Sequence, residues 1–208
     1  MNYDYFSKVL IIGDAYVGKT TFLDSLIGRK YSSRYVSTIG VDLHVEMIKS
    51  YKGDLVKCHL WDLAGHERFR AITRGYFREA TCAILMFDLS NYESFRSLTN
   101  WLDMIKNNTV RKNIPIILVG SKKDKQRNIS AEKARSFAYS HNMKYMEITS
   151  KNENTARDVL IDLINIFVDR TDEMGIEKHE NQSIALKARY KTCHVDKKDV
   201  SCYHCLIS

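Results

Sequence analysis

Gly13-Asp14-Ala15-Tyr16-Val17-Gly18-Lys19-Thr20 is the stretch whose reading decides the fold. It follows the apolar run 9–12 and leads into a helical pattern over 22–27. A glycine, four residues and then Gly-Lys-Thr, set between a strand and a helix, is the spacing of a loop that cradles phosphate. Such a loop must turn tightly with its backbone N–H groups pointing inward, at the positive end of a helix dipole. Gly13 and Gly18 let backbone approach phosphate oxygens without a Cβ in the way. Lys19 supplies a point charge for the outer phosphates, and the Thr20 hydroxyl can ligate Mg²⁺. Asp14, Ala15, Tyr16, Val17 and Thr21 complete the candidate phosphate contacts.

The rest of the chain fits an α/β domain around that loop. The runs 9–12, 82–87 and 116–119 are continuously apolar, as parallel strands buried on both faces require. Val41, Leu43, Val45 and Met47 alternate with Asp42, His44 and Glu46, which predicts a strand burying one face. Val56, Cys58 and Leu60 alternate likewise, and Tyr51-Lys52-Gly53-Asp54 reads as the hairpin turn between the two strands. Helical patterns span about 18–27, 92–107, 130–140 and 155–169, with Ser130 and Thr155 placed as N-caps. Beyond Arg170 the apolar periodicity stops. One domain over 5–170 and an unstructured tail over 171–208 are expected.

Composition narrows the class. The 208 residues are 44% hydrophobic and 27% charged, ordinary for a soluble protein, and no apolar run is long enough to span a bilayer. The first eight residues lack a signal-peptide layout, which points to the cytosol. The net charge of +7 lies on residues 1–170, with 26 Lys and Arg against 19 Asp and Glu, and forms no block of like charge. Scattered surface lysine accounts for it, and no nucleic-acid partner is expected. Cys58 and Cys82 sit in apolar segments, whereas Cys193, Cys202 and Cys205 crowd the end. Five cysteines so placed do not make a disulfide framework.

Three further segments carry chemistry. Asp62 closes a strand and opens Asp62-Leu63-Ala64-Gly65. There its carboxylate can hold the Mg²⁺ hydration shell, and Gly65 can present its N–H to a γ-phosphate. Ser121-Lys122-Lys123-Asp124 follows the buried run 116–119. The Asp124 carboxylate can accept hydrogen bonds from guanine N1–H and its 2-amino group, which adenine lacks, while Lys122 lays its stem along the base. Thr149-Ser150-Lys151 stands where a second base-contacting loop is needed.

With these loops in this order, the chain resembles the small GTPases of the Ras superfamily over residues 5–170. The likeness is to the Rab branch in particular. It rests on Ser37-Thr38-Ile39-Gly40-Val41-Asp42, on Trp61-Asp62-Leu63-Ala64-Gly65-His66-Glu67-Arg68-Phe69 and on Arg70-Ala71-Ile72-Thr73-Arg74-Gly75-Tyr76-Phe77. The resemblance implies a three-layer P-loop GTPase fold. Its six-stranded sheet is mostly parallel, with one antiparallel edge hairpin strand, and carries about five helices. It further implies that Thr38 binds Mg²⁺ when the γ-phosphate is present and that Tyr31 packs edge-on against guanine. Switches at about 31–42 and 63–78 are then ordered by GTP and released on hydrolysis. Tyr35, Val36, Ser37, Thr38, Ile39, Gly40, Val41 and Asp42 form the first effector segment. Leu43, Trp61 and Tyr76 fill the positions of the effector-reading aromatic cluster, with Leu43 where the family usually has Phe.

The implied activity is hydrolysis of GTP to GDP, with Lys19, Thr38, Gly65 and His66 at the reacting phosphate. The implied role is a switch of vesicle traffic. Its partners are an exchange factor, a GTPase-activating protein, a dissociation inhibitor or escort protein, and trafficking effectors. A monomer is expected, on the cytoplasmic face of a membrane with a cytosolic pool.

The departures are informative. His66 stands where the family has the glutamine that orients water, so either intrinsic hydrolysis is slow or a partner supplies the missing group. A scaffold that binds without hydrolysing is the rival function. A P-loop ATPase or nucleotide kinase fits Asp124 and Thr38 poorly. Ser121 replaces an asparagine, and its short side chain is expected neither to reach guanine N7 nor to tie down the first loop. Ser150 replaces an alanine but keeps the N–H that contacts guanine O6. Tyr16 is bulky for its position and is expected to face outward.

Cys205-Leu206-Ile207-Ser208 reads as a prenylation box, whose terminal serine usually selects farnesyl where Rabs more often carry geranylgeranyl. Cys202 can take a second lipid, and residues 187–198, with five basic side chains and only Asp196 acidic, can meet anionic lipid. A zinc site from Cys193, His194, Cys202, His204 and Cys205 is the competing reading of the same segment.

Overall fold

Strand β1 (Tyr5–Ile12) is the spine of the fold. It pairs in parallel with β3 (Leu55–Leu63) on one side and with β4 (Cys82–Asp88) on the other. A computed structural model describes residues 2–29, 40–65, 75–149, 153–176 and 178. The remaining elements are α1 (Lys19–Leu26), β2 (Val41–Lys49), α2 (Tyr92–Arg96), α3 (Leu98–Asn108), β5 (Ile116–Ser121), α4 (Ala131–Ser140), β6 (Lys144–Glu147) and α5 (Glu153–Glu173). The sheet runs β2-β3-β1-β4-β5-β6, parallel throughout except where β2 returns antiparallel to β3. This is the expected six-stranded, mostly parallel sheet with an antiparallel edge strand, carrying about five helices among the described residues.

The two faces of the sheet carry separate cores, because the central strands point alternate side chains to opposite sides. Val9, Ile11, Ile84, Met86, Ile117 and Val119 pack with Phe22 and Leu23 of α1 and with Val159, Leu163 and Phe167 of α5. Leu10, Ile12, Leu85, Phe87 and Leu118 pack with Leu98, Trp101 and Ile105 of α3 and with Ala134 of α4. Helices on both faces explain why β4 is buried at every position. They also place the β1–α1 loop at the carboxyl end of the central strand, between β3 and β4, where such sheets bind ligands.

Several local expectations need correcting. The expected buried face of β2 is partly exposed: Leu43 and Val45 each leave close to half their surface in solvent, at 45% and 44%. β2 is the edge strand, and of its residues only Ile48 is buried, within the α1–α5 core. The helix expected over 92–107 is two helices that meet at Ser97, with Asn91 capping the first through the Glu93 N–H. Ser130 caps α4 by accepting from the Lys133 N–H, as its spacing implied. Thr155 instead lies inside α5, which begins at Glu153.

α5 also runs past Arg170 to Glu173. Its last turn is polar, so periodicity could not find it, but the turn is docked. The Tyr5 hydroxyl donates to Asp172 at 2.7 Å, the Tyr51 hydroxyl to Asp169 at 2.6 Å, and Lys52 bridges Asp169 and Asp172. Lys178 pairs with Asp54 at the same corner. Tyr51 to Asp54 form the hairpin turn as expected, with Gly53 at φ 93°.

Candidate nucleotide-binding site

The phosphate loop connects β1 to α1 through two glycines for different reasons. Gly13 adopts φ 141°, and a Cβ there would lie 2.1 Å from the Met86 carbonyl oxygen, so both conformation and space demand glycine. Gly18 adopts φ 94° in open space, so conformation alone demands it. Gly18 provides no side-chain cap to α1, which leaves the first-turn amides as donors for an anion. Tyr16 also adopts a left-handed φ of 66° and leaves 59% of its surface exposed, matching the expected outward orientation.

Lys19 is buried and donates to the Asp14 carbonyl at 2.7 Å, so its ammonium already lies over the loop. Burial lowers its pKa to about 8, against the pull of the Asp62 and Asp14 carboxylates. Gly65 closes the same space: a Cβ on it would fall 2.5 Å from Lys19 Nζ, the Ala15 nitrogen and the Asp14 carbonyl carbon. The start of the expected second switch thus lies against the phosphate loop.

The metal chemistry of the pocket fits Mg²⁺. Thr20 Oγ1 donates to Asp62 Oδ2 at 2.5 Å, which brings the two expected ligands together. Asp62 is fully buried, and its Oδ1 has no hydrogen-bond partner among the described residues. A buried carboxylate oxygen left unmatched is costly, and a cation or its hydration water would satisfy it. Burial also pushes the Asp62 pKa up, opposed by the Thr20 hydrogen bond and Lys19.

The base-side loops meet at the ends of β5 and β6. Asp124 accepts from the Thr149 hydroxyl at 3.0 Å, and the Lys123 N–H donates to the Ile148 carbonyl at 3.1 Å. Lys122 stands at φ 58° and pairs with Asp88 at 2.6 Å. Burial raises the Asp88 carboxyl, but hydrogen bonds from Lys122 and Ser90 outweigh it and hold the group below its ordinary range. The expectation that Ser121 does not tie down the first loop is corrected. Its buried hydroxyl lies 2.6 Å from the Val17 carbonyl and 2.9 Å from the Phe87 carbonyl, so serine does reach the first loop. It can do so because β5 runs beside β4 directly behind that loop.

Sequence reasoning missed the supports. Asp88 lies just past the apolar run 82–87, and Ser97 and Trp101 fall within the helix expected over 92–107, with no signal of their own. Yet Trp101 Nε1 donates to Asp14 Oδ1 at 2.8 Å and Ser97 Oγ to Asp14 Oδ2 at 2.5 Å. Only a fold that lays α3 against the loop makes these partners.

Leu43, Trp61 and Tyr76 do come together. Leu43 faces Trp61 across β2 and β3, and the Trp61 ring lies 5.2 Å from that of Tyr76. Gly40 leads into this edge strand, and Val41 and Asp42 are its first residues. Tyr31, Tyr35, Val36, Ser37, Thr38, Ile39, His66, Ser150, Lys151, Cys202 and Cys205 lie outside the described residues, as does the cysteine-rich end as a whole.

The description of the Ras family matches residues 8–169 of this sequence. The chain belongs to the Ras family. It is 38% identical over 184 residues to the Ras-related protein Rab-3 of Caenorhabditis elegans, covering 87% of this chain and 82% of that protein. Human Ras-related protein Rab-27B is 36% identical over 177 residues, covering 78% and 81%. Human Ras-related protein Rab-3A is 35% identical over 175 residues, covering 83% and 78%. These relatives place the chain among the Rab members of the Ras family, and as such it is a small GTPase.

Proposed function

We propose that this chain is a guanine-nucleotide switch that binds GTP with Mg²⁺, recruits effectors of vesicle traffic and resets by hydrolysis. The observation that carries the reading is the convergence of three strand ends. The β1 loop brings Lys19 and Thr20, β3 brings Asp62 and Gly65, and β5 brings Ser121, Lys122 and Asp124. Asp124 and Lys122 hold the base, and loop amides with Lys19 hold the phosphates. Thr20 and Asp62 would hold Mg²⁺, which would supply positive charge to offset that of the phosphate oxygens. Water attacks the γ-phosphorus, the bond to the β–γ bridging oxygen breaks, and GDP and phosphate are left. With His66 in place of the family's glutamine the unassisted step is slow, and a partner's arginine accelerates it.

Loss of the γ-phosphate releases Thr38 and Gly65, and with them the Leu43–Trp61–Tyr76 surface changes its binding state. A lipid on Cys205, with Cys202 or the basic stretch 187–198 as second signal, holds the switch on a membrane. Single-turnover phosphate release from GTP-loaded protein tests the catalytic part: slow release, accelerated in His66→Gln, is expected. No release from either protein would favour the alternative of a GTP-loaded scaffold. Intact mass of cell-derived protein tests the anchor, since prenylation adds a lipid and removes the last three residues.

A further inference from the structure

The phosphate loop contains a carboxylate, Asp14, whose side chain needs a place away from the phosphates. Asp14 follows Gly13 directly, and its carbonyl oxygen receives the Lys19 ammonium. A free carboxylate there would act against nucleotide in two ways. It would repel the phosphates as a like charge, and it would compete with them for Lys19. In this geometry both carboxylate oxygens are turned toward α3, so the charge acts on Lys19 only at a distance and takes no hydrogen bond from it that competes with phosphate. Trp101 Nε1 donates to one carboxylate oxygen at 2.8 Å and Ser97 Oγ to the other at 2.5 Å. Trp101 is almost fully buried, at 1% exposure, and its ring is set among the apolar residues of the β4–α3 core. The donor therefore has a fixed position. Ser97 stands where α2 and α3 meet, so the break in that helical run supplies the second donor.

We infer that Trp101 and Ser97 are positioning residues that park the Asp14 carboxylate against α3, keeping Lys19 and the loop amides available to the nucleotide phosphates. This rests on the reading of the loop as a guanine-nucleotide site. Neither residue touches nucleotide; both act through Asp14. A consequence is that displacement of α3 loosens nucleotide, so this helix is a lever on nucleotide retention although it lies behind the loop.

The test is release of a fluorescent GDP analogue from the full-length chain with Mg²⁺ present. Trp101→Phe keeps most of the ring volume and removes the donor. A lost hydrogen bond to a charged group corresponds to release about tenfold to a hundredfold faster. Ser97→Ala, at a half-buried position, moves release in the same direction by a smaller factor and serves if the tryptophan variant does not fold. Adding Asp14→Asn to either variant removes the freed charge and brings release back to within about threefold of wild type, since the lost donor no longer uncovers a charge. A merely structural role for Trp101 would not give this rescue. Wild-type release rates in both single variants, or no rescue by Asp14→Asn, would overturn the inference alone. A wild-type chain that holds no fluorescent GDP would overturn the nucleotide reading itself.

Discussion

Ser121 Oγ lies 2.6 Å from the Val17 carbonyl oxygen, so one hydroxyl joins the base-side strand to the phosphate loop across 104 positions of sequence. The same hydroxyl stands 2.9 Å from the Phe87 carbonyl, and the side chain is buried. Ser121→Ala leaves buried carbonyl groups without their donor, at a cost of about 1–3 kcal/mol. Chemical denaturation of the nucleotide-free protein should show a loss of that size together with faster GDP release. Unchanged stability would mean that the hydroxyl does not bind the two loops together.

Asp62 gives a second expectation. Its Oδ1 is buried and unmatched among the described residues, while its Oδ2 already receives the Thr20 hydroxyl. If that oxygen faces Mg²⁺ or its water, chelation should accelerate GDP release strongly in wild type and only weakly in Asp62→Asn, whose neutral amide holds the cation poorly. Equal acceleration in both proteins would remove Asp62 from the metal site.

The β-strands and the loops that end them were legible because each carries its own local signal. Buried runs such as 82–87 need no partner to be recognised, and Gly-Lys-Thr at a strand-to-helix junction states its own geometry. What stayed hidden depends on pieces far apart in the chain. Asp172 in the polar end of α5 becomes structural only because Tyr5 and Lys52 reach it. Leu43 and Val45 look like core by alternation but stand on the edge strand. Ser121 looks too short for its task until β5 is seen beside β4 and the first loop. Residue type predicts which groups want partners, and the topology decides which partners they meet.

Gly65 offers a steric test. A methyl group on it would stand 2.5 Å from Lys19 Nζ and from two backbone atoms of the phosphate loop. The backbone contacts have no easy way to give, so Gly65→Ala should cost about 1–3 kcal/mol of nucleotide-free stability, as overpacking does. It should also narrow the difference between GTP and GDP affinity, because the chain can no longer approach the γ-phosphate. A variant as stable as wild type with full GTP preference would contradict this placement.

Asp88 makes the acid limb of stability informative. Lys122 and Ser90 hold its folded pKa below the ordinary value of 3.8. A depressed carboxylate contributes stability that is complete above the unfolded value and is lost as pH falls through the folded one. Thermal midpoints of wild type should therefore fall more steeply below about pH 4 than those of Asp88→Asn. Parallel acid limbs would show that the Lys122 pair does not stabilise the base loop.

The loops at 13–20 and 121–124 are proposed to hold one guanine nucleotide together. The most direct measurement is the nucleotide carried by the purified full-length chain, followed by its displacement with GDP, ADP and XDP in the presence of Mg²⁺. Close to one guanine nucleotide per chain is expected, displaced by GDP and not by ADP, with the preference moving toward XDP in Asp124→Asn. A chain that carries no nucleotide, or one that exchanges equally with ADP, would show that these loops do not form a guanine-nucleotide site.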